Sequence, residues 1–220
     1  GVRACDFKAF EVLDNVFLND PKDTYYAHRR DAAIIVTLAC FKPNQACFCP
    51  VFGIDATAPQ GDLTAYLTAE NLYLNANTKK GESLLAAIGN AGGAIENAQN
   101  ADEKTLAGEQ KQAKERFEKL PFAHLDLTPF KADMKETFGD EKWQKLSQGC
   151  LGCGACTFVC PTCQCFDIRD FKAKDGVIRF RCWDSCMYSD FTQMAGGNPR
   201  TTQMQRFRQR FMHKLVYYPK

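Results

Sequence analysis

The sequence predicts an α+β protein, in which an amino-terminal mixed α/β domain precedes a carboxy-terminal cysteine-rich domain. Two observations carry this prediction: helical and strand-like periodicities alternate over residues 1–149, and the cysteines cluster. Of the twelve cysteines in 220 residues, four lie before residue 50 and eight after residue 149. Because a chain of this length with 45% hydrophobic residues can bury a core without disulfide staples, we expect the cysteines to serve another purpose.

The composition excludes several classes of protein. Charged residues make up 25% and aromatic residues 12% of the chain, which excludes disordered, collagen-like and low-complexity sequences. No apolar run approaches the roughly 18 to 20 residues of a membrane span, so we expect none. Residues 1–15 lack a basic segment followed by an apolar stretch, and we therefore predict a cytoplasmic protein without a secretory signal. In a reducing cytoplasm, metal-bound thiolates are favoured over disulfides.

The first elements follow from periodicity. Residues 6–18 predict a helix, with Asp6 as its N-cap and Cys5 immediately before it. Residues 32–40 are almost wholly apolar and rich in β-branched side chains, which is typical of a buried strand that delivers Cys40 at its end. Residues 71–77 alternate as a half-buried strand does.

Helices dominate the next part of the prediction. Ser83 caps a short helix that ends in the glycine-rich residues 89–93, and a charged, solvent-facing helix follows from about 101 to 120. Thr128 and Pro129 open a helix to about 138, and a shorter helix precedes the second group of cysteines. We place the linker near residues 120–130 and predict domains of residues 1–120 and 121–220.

Charge is distributed unevenly along the chain. Residues 1–149 carry a net charge of −4, and residues 150–220 carry a net charge of +6. A nucleic-acid-binding surface gives this pattern, but so does a site for anionic metal–thiolate clusters. What the basic half binds therefore depends on what its cysteines hold.

Four cysteines in residues 150–161 match a known metal-cluster motif. Cys150, Cys153, Cys156 and Cys160, followed by Pro161, have the bacterial ferredoxin spacing C-x2-C-x2-C-x3-C-P. This spacing predicts a [4Fe-4S] cluster and a ferredoxin-like iron–sulfur domain. In two-cluster ferredoxins the fourth cysteine binds the other cluster, so Cys160 need not share a cluster with the first three. The alternative is a zinc site, although zinc usually uses two separated cysteine pairs.

More cysteines follow the motif closely. Cys163 and Cys165 come directly after it, and Cys186 lies in a loop after a predicted strand at residues 177–182. The alternation of that strand turns Cys182 toward the interior, where it is either a ligand or a free buried cysteine. Cys186 is the better ligand candidate. With Cys160, these residues supply enough thiolates for a second cluster and the remote ligand of the first.

The first half of the chain contains a second candidate site. Cys5, Cys40, Cys47 and Cys49 lie at the ends of elements or in a loop, where ligands normally occur. The positive end of a helix dipole favours the Cys5 thiolate, and the Cys47–Cys49 turn supplies two ligands. We prefer a further cluster here, with a zinc site or unmetallated core cysteines as alternatives.

Several segments together resemble one protein family. They are GVRACD at 1–6, YYAHRRD at 25–31, CFC at 47–49, CLGCGACTFVCPTCQCFD at 150–167, RCWDSC at 181–186 and NPRTTQMQRFRQRFMHK at 198–214. The chain resembles the iron–sulfur beta subunit of cytosolic nickel–iron hydrogenases (sulfhydrogenases) and the related iron–sulfur component of anaerobic sulfite reductase. The resemblance implies an electron-transfer subunit with several [4Fe-4S] clusters, working beside a flavin- and pyridine-nucleotide-binding subunit and a catalytic subunit. It matches Cys5, Cys40, Cys47, Cys49, Cys150, Cys153, Cys156, Cys160, Cys163, Cys165 and Cys186 to ligands.

The family pattern also affects how the cysteines are divided. Family members begin before the segment at 1–6 and continue past residue 214 into a second ferredoxin motif. If such a motif follows here, Cys160 and the remote ligand of the first cluster pair with the cysteines of that motif. Cys163, Cys165 and Cys186 are then available for another role, such as binding at the amino-terminal site. We therefore expect two to three [4Fe-4S] clusters, with their division among the twelve cysteines open.

Three functions remain open from the residues alone. The first is electron transfer, and we expect no catalytic residue in that case because no acid–base set or substrate-pocket motif is present. The second is a zinc- or cluster-stabilised nucleic-acid-binding module that uses the basic residues at 200–214, although these cations could instead offset cluster charge or dock against a partner. The third is an enzyme whose unusually ligated cluster binds substrate.

Overall fold

The structure is a computed structural model that describes residues 1–92 and 94–218, with only the backbone described at residues 131 and 132. The described residues divide into two compact units, one of residues 1–126 and one that begins at residue 127. Helices and strands occur in both units, which confirms the predicted mixed α/β content. The division lies near the predicted boundary at residue 120, and the two domains stay a prediction.

The first unit is built around a mixed sheet. Its strands have the order β1–β2–β3–β4, where β1, β2 and β3 are parallel and β3 and β4 are antiparallel. In chain order the elements are β1 (Val2–Arg3), α1 (Ala4–Phe17), α2 (Thr24–Ala32), β2 (Val36–Leu38), a short 3-10 helix (Cys49–Phe52), β3 (Leu63–Leu67), β4 (Leu72–Ala76), α3 (Lys79–Asn90) and α4 (Asn100–Glu118). Ala39, Phe41, Tyr66 and Ala113 form one hydrophobic core of this unit.

Helix α1 begins earlier than its pattern predicts. Arg3, which pairs with Leu38 in the sheet, is the N-cap residue, and the helix starts directly after it. The prediction that Asp6 caps the helix is therefore wrong; Asp6 lies in the first turn, where a carboxylate favours the positive end of the helix dipole. Cys5 accordingly lies inside the first turn and not before the helix.

The strand predicted over residues 32–40 is shorter than expected. Residues up to Ala32 belong to α2, a helix that was not predicted from the sequence. Asp23 starts that helix by accepting a hydrogen bond from the Tyr26 N–H at 2.9 Å. The strand β2 then occupies the middle of the sheet, and Thr37 within it is fully buried.

The later elements of this unit agree better with the prediction. Strand β4 and helix α4 lie within one or two residues of their predicted ranges. The cap of α3 was wrongly predicted, because Thr78 accepts from the Gly81 N–H while the Ser83 hydroxyl donates to the Lys79 carbonyl inside the helix. Helix α3 ends at Asn90, and Gly93 of the glycine-rich segment lies outside the described residues.

The second unit combines short helices with a hairpin. Trp143, Met212 and Val216 form its buried core. In chain order its elements are α5 (Pro129–Ala132), α6 (Met134–Gly139), α7 (Lys142–Leu146), α8 (Ala155–Phe158), β5 (Phe166–Ala173), β6 (Gly176–Trp183), α9 (Gln203–Met212) and a π-helical turn (His213–Tyr217). The helix predicted from 128 to 138 is interrupted at Asp133, which has extended backbone angles and caps α6 through the Lys135 and Glu136 N–H groups.

The hairpin of β5 and β6 corrects one prediction. The strand expected at 177–182 is present as β6, which pairs antiparallel with β5. Its alternation does not produce a buried face, because Ile178 and Phe180 are both exposed, and Cys182 on the same face is half-buried. The prediction that this face turns Cys182 into the interior is therefore wrong. Alternation indicates a buried face only where another layer covers the sheet.

Among the helices that the structure describes, none is both long enough and apolar enough to cross a membrane.

Candidate iron–sulfur sites

The four cysteines of the first unit lie together at one end of its sheet. Cys5 lies in the first turn of α1, Cys40 follows β2, and Cys47 and Cys49 lie in the loop that leads into the 3-10 helix. Cys40, Cys47 and Cys49 pack against a buried cluster of Ala4, Ala56 and Phe117, and Ala4 is the neighbour of Cys5 in α1. We call Cys5, Cys40, Cys47 and Cys49 the amino-terminal set.

The thiols of this set influence one another electrostatically. Burial raises the pKa of Cys49 to about 11, and negative charge on Cys5, Cys47 and Cys40 adds to this increase. The pKa of Cys5 is also raised, first by burial and then by the charge of Asp6. Without a metal, these thiols resist joint ionisation, whereas metal coordination requires thiolates and offsets their charge. The donor set therefore fits a metal cluster.

One hydrogen-bond donor reaches the amino-terminal set from β1. Arg3 Nη1 donates to Cys40 Sγ at 3.5 Å. The backbone N–H of Cys40 donates to the Ala56 carbonyl at 2.8 Å, and this bond fixes the chain after β2. The guanidinium thus places a positive charge beside a sulfur of the set.

Four cysteines of the second unit form another group. Cys160 and Cys163 share a side-chain hydrogen bond, as do Cys165 and Cys186, and the charge of Cys163 acts on Cys186. The group unites the end of the ferredoxin-type motif with Cys186 in the loop after β6. We call Cys160, Cys163, Cys165 and Cys186 the carboxy-terminal set.

Each hydrogen-bonded pair of this set divides into a donor and an acceptor. The Cys163 thiol stabilises the Cys160 thiolate, so the pKa of Cys160 is lowered and that of Cys163 is raised. The Cys186 thiol likewise lowers the pKa of Cys165, and its own pKa is raised. One thiolate per pair is therefore favoured before any metal is present. Such a set is suited to binding a metal cluster whose irons replace the shared protons.

Cys150, Cys153 and Cys156 remain as the first three positions of the motif. The turn that carries them depends on Gly152 and Gly154, which have φ angles of 68° and 75°. A Cβ atom at Gly154 would lie 2.7 Å from the Tyr188 ring. The two glycines thus allow a tight turn of the backbone next to helix α8.

Cys182 has different surroundings from the other cysteines. Its thiol donates to the Asp167 carbonyl across the hairpin at 3.9 Å. We therefore do not include Cys182 in the proposed ligand sets. All twelve cysteines lie within the described residues, and none of them forms a disulfide bond.

The sequence did not reveal the side chains that contact the sulfurs although they lie far from the cysteines in sequence. Gln203 Nε2 donates to Cys150 Sγ at 3.2 Å, and Arg210 Nη1 donates to Cys163 Sγ at 3.1 Å. Arg210 was identified only as one cation of a basic segment, and Gln203 was not considered. The spacing of polar residues at 203, 206, 210 and 214 could have indicated one helix face directed at the cysteines.

A cleft of about 670 Å³ adjoins the turn that carries Cys150 and Cys153. Gly152, Tyr188 and Gln203 are among its lining residues. Within the part of the chain that the structure describes, no group of three or more His, Cys, Asp or Glu side chains is close enough together to share a single metal ion. In a [4Fe-4S] cluster each cysteine binds a different iron, so the ligands of a cluster lie farther apart than those of one ion.

Comparisons with known proteins agree on the carboxy-terminal region. Residues 149–220 match the family model of the 4Fe-4S dicluster domain. The whole chain is 31% identical, over 223 aligned positions, to sulfhydrogenase 2 subunit beta of Pyrococcus furiosus. The chain spans 64% of the length of that relative. No solved structure matches the chain.

Proposed function

We propose that the chain transfers single electrons through [4Fe-4S] clusters within a redox complex, because it is 31% identical to a sulfhydrogenase beta subunit and its residues 149–220 match the 4Fe-4S dicluster domain. The observation that carries this proposal is the carboxy-terminal set, in which Cys160, Cys163, Cys165 and Cys186 lie together within the matched dicluster domain. Four cysteine thiolates are the ligands that a [4Fe-4S] cluster requires.

We assign the ligands of three sites from contacts and spacing. The carboxy-terminal set holds one cluster, and the amino-terminal set holds another. Cys150, Cys153 and Cys156 supply three ligands of a third, as the spacing of their motif indicates. Cys160 then binds a different cluster from the three cysteines before it, which is the arrangement in two-cluster ferredoxins. This division supports a ferredoxin-like organisation of the second unit.

The clusters, when bound, supply the one-electron chemistry, and the protein supplies the binding sites and their electrostatics. The described side chains around the sulfurs act as hydrogen-bond donors: Arg3 toward Cys40, Gln203 toward Cys150, and Arg210 toward Cys163. Donors of this kind stabilise negative charge on the thiolates and tune reduction potentials. The proposal assigns no catalytic residue to this chain.

The direction of the basic side chains favours electron transfer over nucleic-acid binding. Arg206 is only 8% exposed, and Arg210 and Lys214 are half-buried and point toward the cysteine segments. A nucleic-acid surface needs its cations exposed for phosphate contacts. These cations instead offset the charge of the thiolate sites.

The partners are a flavin- and pyridine-nucleotide-binding subunit and a catalytic subunit of the hydrogenase or sulfite- and sulfur-reductase type. This part of the proposal comes from the family, whose relative in Pyrococcus furiosus bears the name of a sulfhydrogenase subunit. A chain that carries clusters but no acid–base set serves as the electron path between two such partners.

Iron, acid-labile sulfide and zinc analysis of anaerobically purified protein tests the proposal. We expect about four irons and four sulfides for each occupied site, no stoichiometric zinc, and electron paramagnetic resonance (EPR) signals of reduced cubanes. Stoichiometric zinc without sulfide would contradict it. Purification of the native complex, followed by identification of its subunits and flavin, tests the partners separately.

A further inference from the structure

One side of α9 and the turn after it carries polar groups directed at the cysteine segments. Gln203, Arg206, Arg210 and Lys214 are separated by three, four and four residues, which places them on one face of a helix. We call these four residues the donor face. Gln203, at one end of this face, contacts Cys150, and Arg210, nearer the other end, contacts Cys163.

At the start of the donor face, a buried cation orients a neutral amide. Arg206 donates from Nε and Nη2 to Gln203 Oε1 at 3.2 and 2.9 Å, and from Nη1 to the Arg200 carbonyl at 2.9 Å. Because the Gln203 oxygen accepts both bonds, its amide nitrogen faces Cys150 Sγ. Arg206 therefore determines which end of the Gln203 amide meets the sulfur.

At the other end of the donor face, cations reach the carboxy-terminal set. Arg210 Nη1 donates to Cys163 Sγ at 3.1 Å, while its Nη2 donates to the Cys156 carbonyl at 2.6 Å. Lys214 donates to the Thr162 hydroxyl, which shares a 3.2 Å hydrogen bond with Cys160 Sγ. One acidic residue, Asp184, acts on this set through Cys165. A cation thus contacts a sulfur directly here, whereas at Cys150 a neutral amide contacts the sulfur and separates it from the Arg206 cation.

We propose that the donor face separates the reduction potentials of the two sites, so that the carboxy-terminal set holds the more easily reduced cluster and Arg206 acts as a positioning residue for the Gln203 amide. One-electron reduction adds one negative charge to a site, and a nearby cation stabilises that charge more than a neutral amide does. The inference rests on the proposed function, since it requires a cluster at both sites.

A redox titration of the anaerobically purified full chain, followed by EPR, tests the cationic end. Arg210→Gln removes the charge beside Cys163, and we expect the equilibrium constant for reduction of one cluster to fall about tenfold, which is 59 mV for a one-electron couple. Iron and sulfide contents stay at the wild-type level. Lys214→Gln, which retains Arg210, lowers the same potential by a smaller amount and provides the measurement if Arg210→Gln loses iron.

Arg208→Gln is the matched control. Arg208 lies on the same helix and carries the same charge, but it donates to the Phe138 carbonyl at 3.1 Å and lies over the Phe138 ring. Its loss should leave both potentials unchanged. Equal shifts in Arg208→Gln and Arg210→Gln would overturn the inference, because they would report a general loss of charge.

The neutral end is tested by a double-mutant cycle. Gln203→Leu removes the N–H donor to Cys150 and lowers the potential of the other cluster. Arg206→Lys keeps the charge but removes the paired donation to Gln203 Oε1, so it lowers that same potential, and it adds nothing further when Gln203 is already leucine. Independent, additive shifts would contradict a positioning role for Arg206.

The outcomes separate this inference from the proposed function. Wild-type protein without iron and sulfide contradicts the proposed function itself. Wild-type protein that contains the clusters, together with Arg210→Gln and Lys214→Gln variants that keep wild-type potentials, contradicts only the role of the donor face.

Discussion

The hydroxyl groups of Thr157 and Ser185 form a buried 2.7 Å hydrogen bond. Thr157 lies in α8, between Cys156 and Cys160, and Ser185 precedes Cys186. The Thr157 hydroxyl also contacts the Gly154 carbonyl at 2.6 Å, and the Met187 N–H donates to the Ser185 hydroxyl at 3.2 Å. This buried network connects the motif to the loop that supplies Cys186.

Replacement of Thr157 by valine tests that connection. Thr157→Val keeps the side-chain shape but leaves the Gly154 carbonyl and the Ser185 hydroxyl without this partner, and we expect a loss of about 1 to 3 kcal/mol in the free energy of unfolding. Urea denaturation followed by circular dichroism measures it. Thr201→Val, at an exposed threonine, is the control and should change stability by less than about 0.5 kcal/mol. Equal losses in both variants would show that the buried network has no special role.

The proposed division of cysteines predicts how iron content responds to substitution. Cys165→Ala and Cys49→Ala each remove one cluster and about four irons per chain, and together they remove about eight, because they belong to different sets. Cys165→Ala combined with Cys186→Ala removes no more iron than either alone, because both bind one cluster. Cys182→Ala is the control and should retain the wild-type iron content. Iron loss in Cys182→Ala equal to that in Cys165→Ala would contradict the division.

The sequence predicted the local part of these sites and missed the long-range part. The family resemblance is confirmed, and the 4Fe-4S dicluster match covers the motif that begins at Cys150. Such a motif is readable because its ligands are three or four residues apart. The contacts of Gln203 with Cys150 and of Arg210 with Cys163 join residues 53 and 47 positions apart, and no local pattern contains them.

Errors in the predicted elements have local physical causes. Helix α2 was missed because its residues are mostly polar, and its start depends on the Asp23 cap. The start of α1 was misplaced because Arg3 is both the last residue of β1 and the N-cap residue of the helix, and its side chain makes no capping hydrogen bond. Cys182 was assigned to a buried face because strand alternation alone does not reveal whether a second layer covers the hairpin.

Glycine is required at residue 154 for two reasons. Its φ of 75° is unfavourable for other residues, and an added Cβ would lie 2.7 Å from the Tyr188 ring. We expect Gly154→Ala to cost more than about 1 kcal/mol of stability and to lower iron content. Gly149→Ala is the control, since no described atom lies within 4 Å of its added Cβ. Tyr188→Leu in the Gly154→Ala background should restore only part of the loss, because the backbone strain remains; full restoration would contradict the role of φ.

Asp62 predicts a pH dependence in the first unit. Its carboxylate accepts from the Ile35 N–H at 2.8 Å and the Thr78 hydroxyl at 2.7 Å. Burial acts to raise its pKa, but these bonds and the charges of Lys80 and Arg30 outweigh it, so the folded pKa is lowered. The stabilisation is therefore present above the unfolded pKa of about 3.9 and is lost as the pH falls through the folded value. Asp62→Asn should cost about 1.5 kcal/mol at neutral pH.

Urea denaturation of Asp62→Asn and wild type at a series of pH values checks this prediction. The difference in stability should narrow below about pH 4, when the wild-type carboxylate becomes protonated. Glu70→Gln removes an exposed carboxylate in the turn between β3 and β4 and should differ little from wild type throughout. A constant difference between Asp62→Asn and wild type down to pH 2 would contradict the lowered pKa.

The chain has two tryptophans, and their opposite environments allow a matched comparison. Trp143 is 6% exposed in the core with Met212 and Val216, and its indole N–H donates to the Thr137 carbonyl at 2.7 Å; Trp183, at the end of β6, is 68% exposed. Trp143→Ala leaves a cavity and an unpaired carbonyl, so we expect a loss of about 3 to 5 kcal/mol. Because this core packs against Phe207 and Phe211 of α9, its loss removes the support of the whole helix that lies beside the cysteine segments, and not only the contact of Arg210 with Cys163. Denaturation curves and iron contents of Trp143→Ala and Trp183→Ala, measured side by side, check this prediction. Only Trp143→Ala should lose both stability and iron. Equal losses in the two variants would contradict the dependence of the donor face on the Trp143 core.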